Sequence, residues 1–104
     1  MQMLTLATNV AATGVAAQTA VNSNVTPFGN GRDVVVAIDP TVTLTGTPTI
    51  LIEGSPDGVT YTTLVTHTAL YGKWYQVKAQ RYMRANVTVA GSAGSFNAYV
   101  INGA

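Results

Sequence analysis

Five side chains can exchange protons near neutral pH: His67 and the carboxylates of Asp33, Asp39, Glu53 and Asp57. Acid–base catalysis needs two such groups with opposed pKa values, close together. Asp33 and Asp39 bound one predicted strand and stand about 20 Å apart when it is extended. Asp57 is explained by a turn, and His67 falls near a strand end among threonines, where a solvated or hydrogen-bonded ring is expected. Ser23, Ser55, Ser92 and Ser95 sit in loop-like settings without the G-x-S-x-G elbow of a serine nucleophile. No catalytic residue is assigned, and no enzymatic activity is expected. One histidine and no cysteine give no zinc spacing, so no metal and no cofactor are expected. Calcium held by loop carbonyls beside Asp33, Asp39 or Asp57 is the one cation chemistry left open.

The basic residues are uneven. Lys73, Lys78, Arg81 and Arg84 crowd into residues 73–84, interleaved with Trp74, Tyr75 and Tyr82. Cations beside aromatic rings can neutralise phosphates and stack bases. The formal net charge is only +1 and no RNA-recognition signature is present, so the expected arrangement is half-buried rings with charges on the wet face. No nucleic-acid partner is expected. Asn24-Val25-Thr26 and Asn86-Val87-Thr88 fit the glycosylation sequon, but no charged n-region of a signal peptide precedes Arg32, the first cation.

The elements that must position these groups read as strands. Ile50, Ile52 and Gly54 alternate before Pro56-Asp57-Gly58, where proline presets φ and glycine takes a left-handed site. The spacing predicts a tight hairpin, resuming at Val59 and running to about Thr68. Further strands are predicted at Leu4–Leu6, Val15–Val21, Asp33–Asp39, Lys73–Ala79, Tyr82–Val89 and Phe96–Ile101, with turns at Asn30-Gly31, Thr45–Pro48 and Gly91–Gly94. Asn22–Asn30 is the predicted long loop. A competing pattern at residues 8–20, capped by Thr8 with Ala7, Val10, Ala11 and Val15 on one face, fits a helix. Seven to eight short strands predict an all-β antiparallel β-sandwich, jelly-roll-like. The expected core is Val34, Val36, Ile38, Ile50, Ile52, Val87, Val89, Phe96 and Val100.

At 104 residues the chain is one domain, long enough to bury roughly two-thirds of its unfolded surface without cross-links. Its longest purely apolar run, Val34–Ile38, is far short of a membrane span, so no membrane partner is expected. Charged residues make up 9% of the chain, against roughly a quarter in ordinary domains. Little electrostatic repulsion then opposes packing copies together, which points to life in an assembly.

The run Glu53-Gly54-Ser55-Pro56-Asp57-Gly58-Val59-Thr60-Tyr61-Thr62-Thr63-Leu64, followed by Arg81-Tyr82-Met83-Arg84-Ala85-Asn86-Val87, resembles small β-sandwich virion proteins of tailed bacteriophages. Such proteins decorate or cement the capsid, or form head fibres. The apolar opening at Met3-Leu4-Thr5-Leu6 is similar too. The resemblance implies a structural protein on the outer capsid surface that braces neighbouring capsomers of the major capsid protein, as a homo-oligomer with a trimer favoured. Residues 1–8 have two readings: an arm adding a strand to a partner's sheet through Met1, Met3, Leu4 and Leu6, or the first strand of the chain's own sandwich. The S-x-D-G and R-Y-x-R elements also resemble discoidin-like, galactose-binding jelly rolls, although this chain is shorter and lacks their terminal cysteine pair. That alternative implies a carbohydrate-binding module on a phage fibre or tail, with Trp74 or Tyr75 as stacking platform.

Overall fold

The computed structural model describes residues 2–22 and 33–102. The strands are β1 (Gln2–Ala11), β2 (Ala16–Ala17), β3 (Val21–Asn22), β4 (Asp33–Thr45), β5 (Thr49–Ser55), β6 (Thr62–His67), β7 (Lys73–Lys78), β8 (Tyr82–Val89) and β9 (Ala93–Asn102). Threonine, valine and isoleucine favour such pleated, half-buried surfaces. Pairing is antiparallel throughout and nested: β5 with β6, β4 with β7, β2 and β3 with β8, and β1 with β9. The chain is thus one long hairpin, and rolling it up adds the pairs β4 with β9 and β5 with β8. Two packed sheets result, sheet A in the order β1-β9-β4-β7 and sheet B in the order β2-β8-β5-β6, with β3 also on β8. This is the strand order of a jelly roll. β2 and β3 share one edge of β8, so they count as one interrupted strand and bring the total to eight, within the expected seven to eight.

The core lies between the inner faces. Val34, Val36, Ile38, Ile50, Ile52, Val87, Phe96 and Val100 are all buried there, as alternation predicts. Val89 is not: half of it is exposed (50%). Val87 faces Ile50 and Val89 faces Thr49, so β8 carries one extra residue against β5 and loses its inward phase. Leu6, Leu44, Val65 and Met83 complete the core, with Ala7, Ala12, Ala79, Ala85 and Ala98 filling its narrow places.

Other expectations change in detail. Residues 8–11 continue β1 instead of starting a helix. Six residues, 56–61, join β5 to β6, so the hairpin loop is wider than predicted. Its polar groups satisfy one another: Ser55 Oγ accepts the N–H of Asp57 (3.2 Å) and Gly58 (2.9 Å), and Asp57 Oδ1 accepts those of Val59 (2.8 Å) and Thr60 (3.0 Å). Gly58 takes the left-handed φ expected of it, 78°. β4 does not close at Asp39-Pro40 but runs on to Thr45. The proline is tolerated because β7 begins at Lys73, opposite Ile38, leaving no β7 carbonyl for a Pro40 N–H to meet. The predicted loop lies outside the described residues except for Asn22.

Candidate functional site

The groups capable of proton chemistry are dispersed. Asp33 and Asp39 lie on β4 in sheet A; Glu53, Asp57 and His67 belong to sheet B and its loop. His67 is buried, its Nδ1 2.7 Å from the Tyr75 hydroxyl, with the two rings edge to face. Its Nε2 has no hydrogen-bond partner among the described residues. Burial, then the nearby Lys73 ammonium, pushes its pKa below the ordinary value of 6.5. Ser55 and Asp57 hydrogen-bond each other (2.8 Å), and the loop amides hold the Asp57 carboxyl below its usual range. Ser23 lies outside the described residues. Among the described residues no group of three or more His, Asp or Glu side chains converges as metal ligands would.

The basic cluster of residues 73–84 is split by the fold. Lys73 and Lys78 are on β7 in sheet A, Arg84 on β8 in sheet B, and Arg81 in the turn between. Lys78 pairs with Asp33 at 2.8 Å. Arg84 donates to Glu53 at 2.8 Å and lies 3.8 Å from the Tyr61 ring centroid. Arg81 stands over Tyr82 at 5.4 Å. The aromatic residues in this stretch mostly serve as resting places for their own cations.

Trp74 differs. Alternation along β7 sends Tyr75 toward His67 and Trp74 to the outer face, where it is 73% exposed. Of the two rings proposed as a platform, Tyr75 is therefore committed to the interior, and burial raises its hydroxyl pKa above the ordinary value. Trp74, Ala37 and Tyr99 form one cross-strand row, because Ala37 faces Trp74 on one side and Tyr99 on the other. Two rings flanking an alanine leave a depression of ≈ 350 Å³, lined also by Ile38, Asp39, Gly72 and Ile101. Its polar end is fixed in detail. The Asn9 N–H donates to Asn97 Oδ1 (2.6 Å), which orients the amide so that Nδ2 donates to the Tyr99 hydroxyl oxygen (2.8 Å). Asn9 holds a left-handed φ of 49°, and its Oδ1 accepts from Thr41 (2.7 Å) and Ser95 (3.0 Å). Sequence reasoning found Trp74, singled out Asp39 only as a lone carboxylate or calcium-loop residue, and missed Tyr99 and Asn97; their meeting depends on strand pairing.

The N-terminal residues form a second feature. Residues 2–8 are not a detached arm: Gln2–Ala11 is the edge strand of sheet A, paired with β9. Leu6 is buried, Leu4 packs against the core, and Met3 points outward at 58% exposure. Met1 lies outside the described residues. The pairing is regular from Gln2 to Thr5 and then irregular at Thr5/Ala7 and Ala7/Val10. β1 contains no charged residue, whereas β7 at the opposite edge carries Lys73 and Lys78. Natural sheet edges are usually blunted by charge, proline or bulges. Here the bulges begin only beyond Thr5, so the stretch Gln2–Thr5 keeps a regular register and is uncharged.

Fold and surface together define a jelly-roll β-sandwich with an aromatic groove and, among the described residues, an uncovered strand edge at β1. No protein-family model matches the chain, and no curated protein matches it.

Proposed function

We propose that this chain is a structural virion protein that decorates the outer surface of a bacteriophage capsid and cements neighbouring capsomers. The observation that carries this reading is the edge of β1 over Gln2–Thr5, uncharged, with Met3 exposed and with no further strand paired to it among the described residues. Such an edge offers main-chain hydrogen bonds to one more strand, and its partner is a segment of the major capsid protein. The rigid jelly roll behind it resists deformation, and with 9% charged residues the surface does little to repel close neighbours. Each contact is modest. Repeated around a shell, and joined through a homotrimer, such contacts add to firm bracing. The resemblance carried by Glu53–Leu64 and Arg81–Val87 points the same way.

The test is to image particles from the source at high resolution and count copies by quantitative mass spectrometry. Hundreds of ordered copies over the capsid, with β1 against the shell, are expected. A few copies at a vertex or tail, or none, would overturn the reading. Met3→Lys places a charge on the open edge without touching the core, so it should abolish binding to undecorated particles while the unfolding midpoint holds.

A further inference from the structure

We propose that the depression on the outer face of sheet A is a carbohydrate subsite that seats one neutral hexopyranose ring on Trp74, with Asp39 and Tyr99 addressing its hydroxyls. This goes beyond a cementing role and uses the face of the sheet, not its β1 edge.

The groove is divided as a sugar is divided. At one end Trp74, Ala37 and Ile101 offer an apolar floor and wall, suited to the C–H face of a pyranose. Trp74 and Tyr99 lie on strands flanking β4, so their backbones are about 10 Å apart by the usual inter-strand spacing. The alanine between them leaves that width open. At the other end Asp39, two residues along β4 from Ala37, presents a carboxylate that makes no hydrogen bond among the described residues. Gly72 keeps the rim low beside it: a Cβ there would approach Asp39 Oδ1 to 3.7 Å and the Ile38 carbonyl to 3.1 Å. Asn97 faces Asp39 across the strand pair. Since Asn97 Nδ2 already donates to the Tyr99 hydroxyl oxygen, the tyrosine keeps its own proton to give. One acceptor, Asp39, and one donor, Tyr99, therefore stand at the polar end, and the Tyr99 side is held through Asn97 by Asn9, with Thr41 and Ser95 behind it. Asn9 takes a left-handed φ, which asparagine adopts more readily than most residues, at the irregular Ala7/Val10 step of β1, and its N–H there meets Asn97.

The same chemistry selects among ligands. Among the described residues the one charge lining the groove is negative, so phosphates and other anions are repelled. An apolar protein surface docked here would bury the Asp39 carboxylate without a partner, a large penalty. A quaternary ammonium suits the rings and the carboxylate but has no use for the Tyr99 proton. A neutral polyhydroxylated ring satisfies all three.

The test titrates the full chain with glucose, galactose, mannose and N-acetylglucosamine while amide chemical shifts are followed, with a broad glycan array run in parallel and choline as the cationic alternative. Saturable shifts confined to residues around Trp74, Ala37, Asp39 and Tyr99 are expected for at least one sugar. Trp74→Ala and Asp39→Asn should each weaken binding about tenfold or more, and Tyr99→Phe several-fold. All three positions face outward, and unchanged unfolding midpoints will confirm that the variants fold. No saturable binding to any sugar or array glycan, binding that survives Trp74→Ala, or a response to choline alone would each overturn the proposal. Capsid binding that depends on Met3 is read separately, so either idea can fail without the other.

Discussion

Glu53 and Arg84 stand opposite each other on β5 and β8, and so do Asp33 and Lys78 on β4 and β7. Both pairs close to 2.8 Å, but the side chains of the first are 12% and 27% exposed and those of the second 64% and 69%. Equal geometry in unequal solvent makes the exposed pair an internal control for the covered one. Arg84→Met removes a charge-assisted hydrogen bond, worth about 2 kcal/mol, and a cation–π contact with Tyr61, worth about 1 kcal/mol. Among the described residues it also leaves the Glu53 carboxylate with only the 3.3 Å donor of Asn86. A loss of about 3 kcal/mol is expected. Glu53→Gln should cost less, about 1.5 kcal/mol, because Arg84 keeps Tyr61 and reaches water. The double variant has no stranded charge and should lose only about 2 kcal/mol, giving a coupling energy of about 2.5 kcal/mol. The corresponding cycle on Asp33→Asn and Lys78→Met should give about 0.5 kcal/mol or less, fading further in salt. Urea unfolding with a common slope reads each value, and Arg84→Met should move the midpoint by about 2 M. A 53–84 coupling no larger than the 33–78 coupling would refute the reasoning that solvent exclusion sets the strength of these pairs.

Acidification should weaken the fold in two stages. His67 has a folded-state pKa below 6.5, so between that lowered value and 6.5 the unfolded chain binds the extra proton and stability falls as pH drops. Asp57, also lowered, adds a second loss as pH falls from about its ordinary 3.8 through its folded value. Urea midpoints across pH should show both slopes, and His67→Gln should flatten the first while leaving the second; an unchanged first slope would remove His67 as its source. Gly94→Ala should cost about 3 kcal/mol or more, because φ is +115° and a Cβ would lie 2.7 Å from the Thr43 carbonyl oxygen and Leu44 Cα; Gly14→Ala, with open space around it, should stay within about 0.5 kcal/mol. Equal midpoints for those two variants would contradict the packing described at Leu44. Ser55→Ala should cost about 1–2 kcal/mol and speed hydrogen exchange at the amides of Asp57 and Gly58, whose acceptor is the buried Ser55 oxygen.

The local pattern of Val34, Val36 and Ile38, and of Ile50 and Ile52, determined strands with a buried face, because a period of two is a property of the backbone alone. Turn chemistry at Pro56-Asp57-Gly58 likewise placed a reversal and a left-handed glycine, and the spacing of such signals was enough for an all-β jelly roll of about eight strands. What sequence could not supply was register. Val89 has the right residue type for the core and misses it through one extra residue on β8. The cations of residues 73–84 are neighbours in the chain and are divided between two sheets. Trp74 and Tyr75 are adjacent and equivalent in type, yet one faces water and the other His67. Residues 2–8 satisfy an arm and a first strand equally until β9 is beside them. The groove itself joins Asp39, Trp74 and Tyr99 from three strands. Periodicity is set by each strand's own backbone, but which side chains meet is set by pairings across dozens of residues, and only the rolled-up hairpin fixes those.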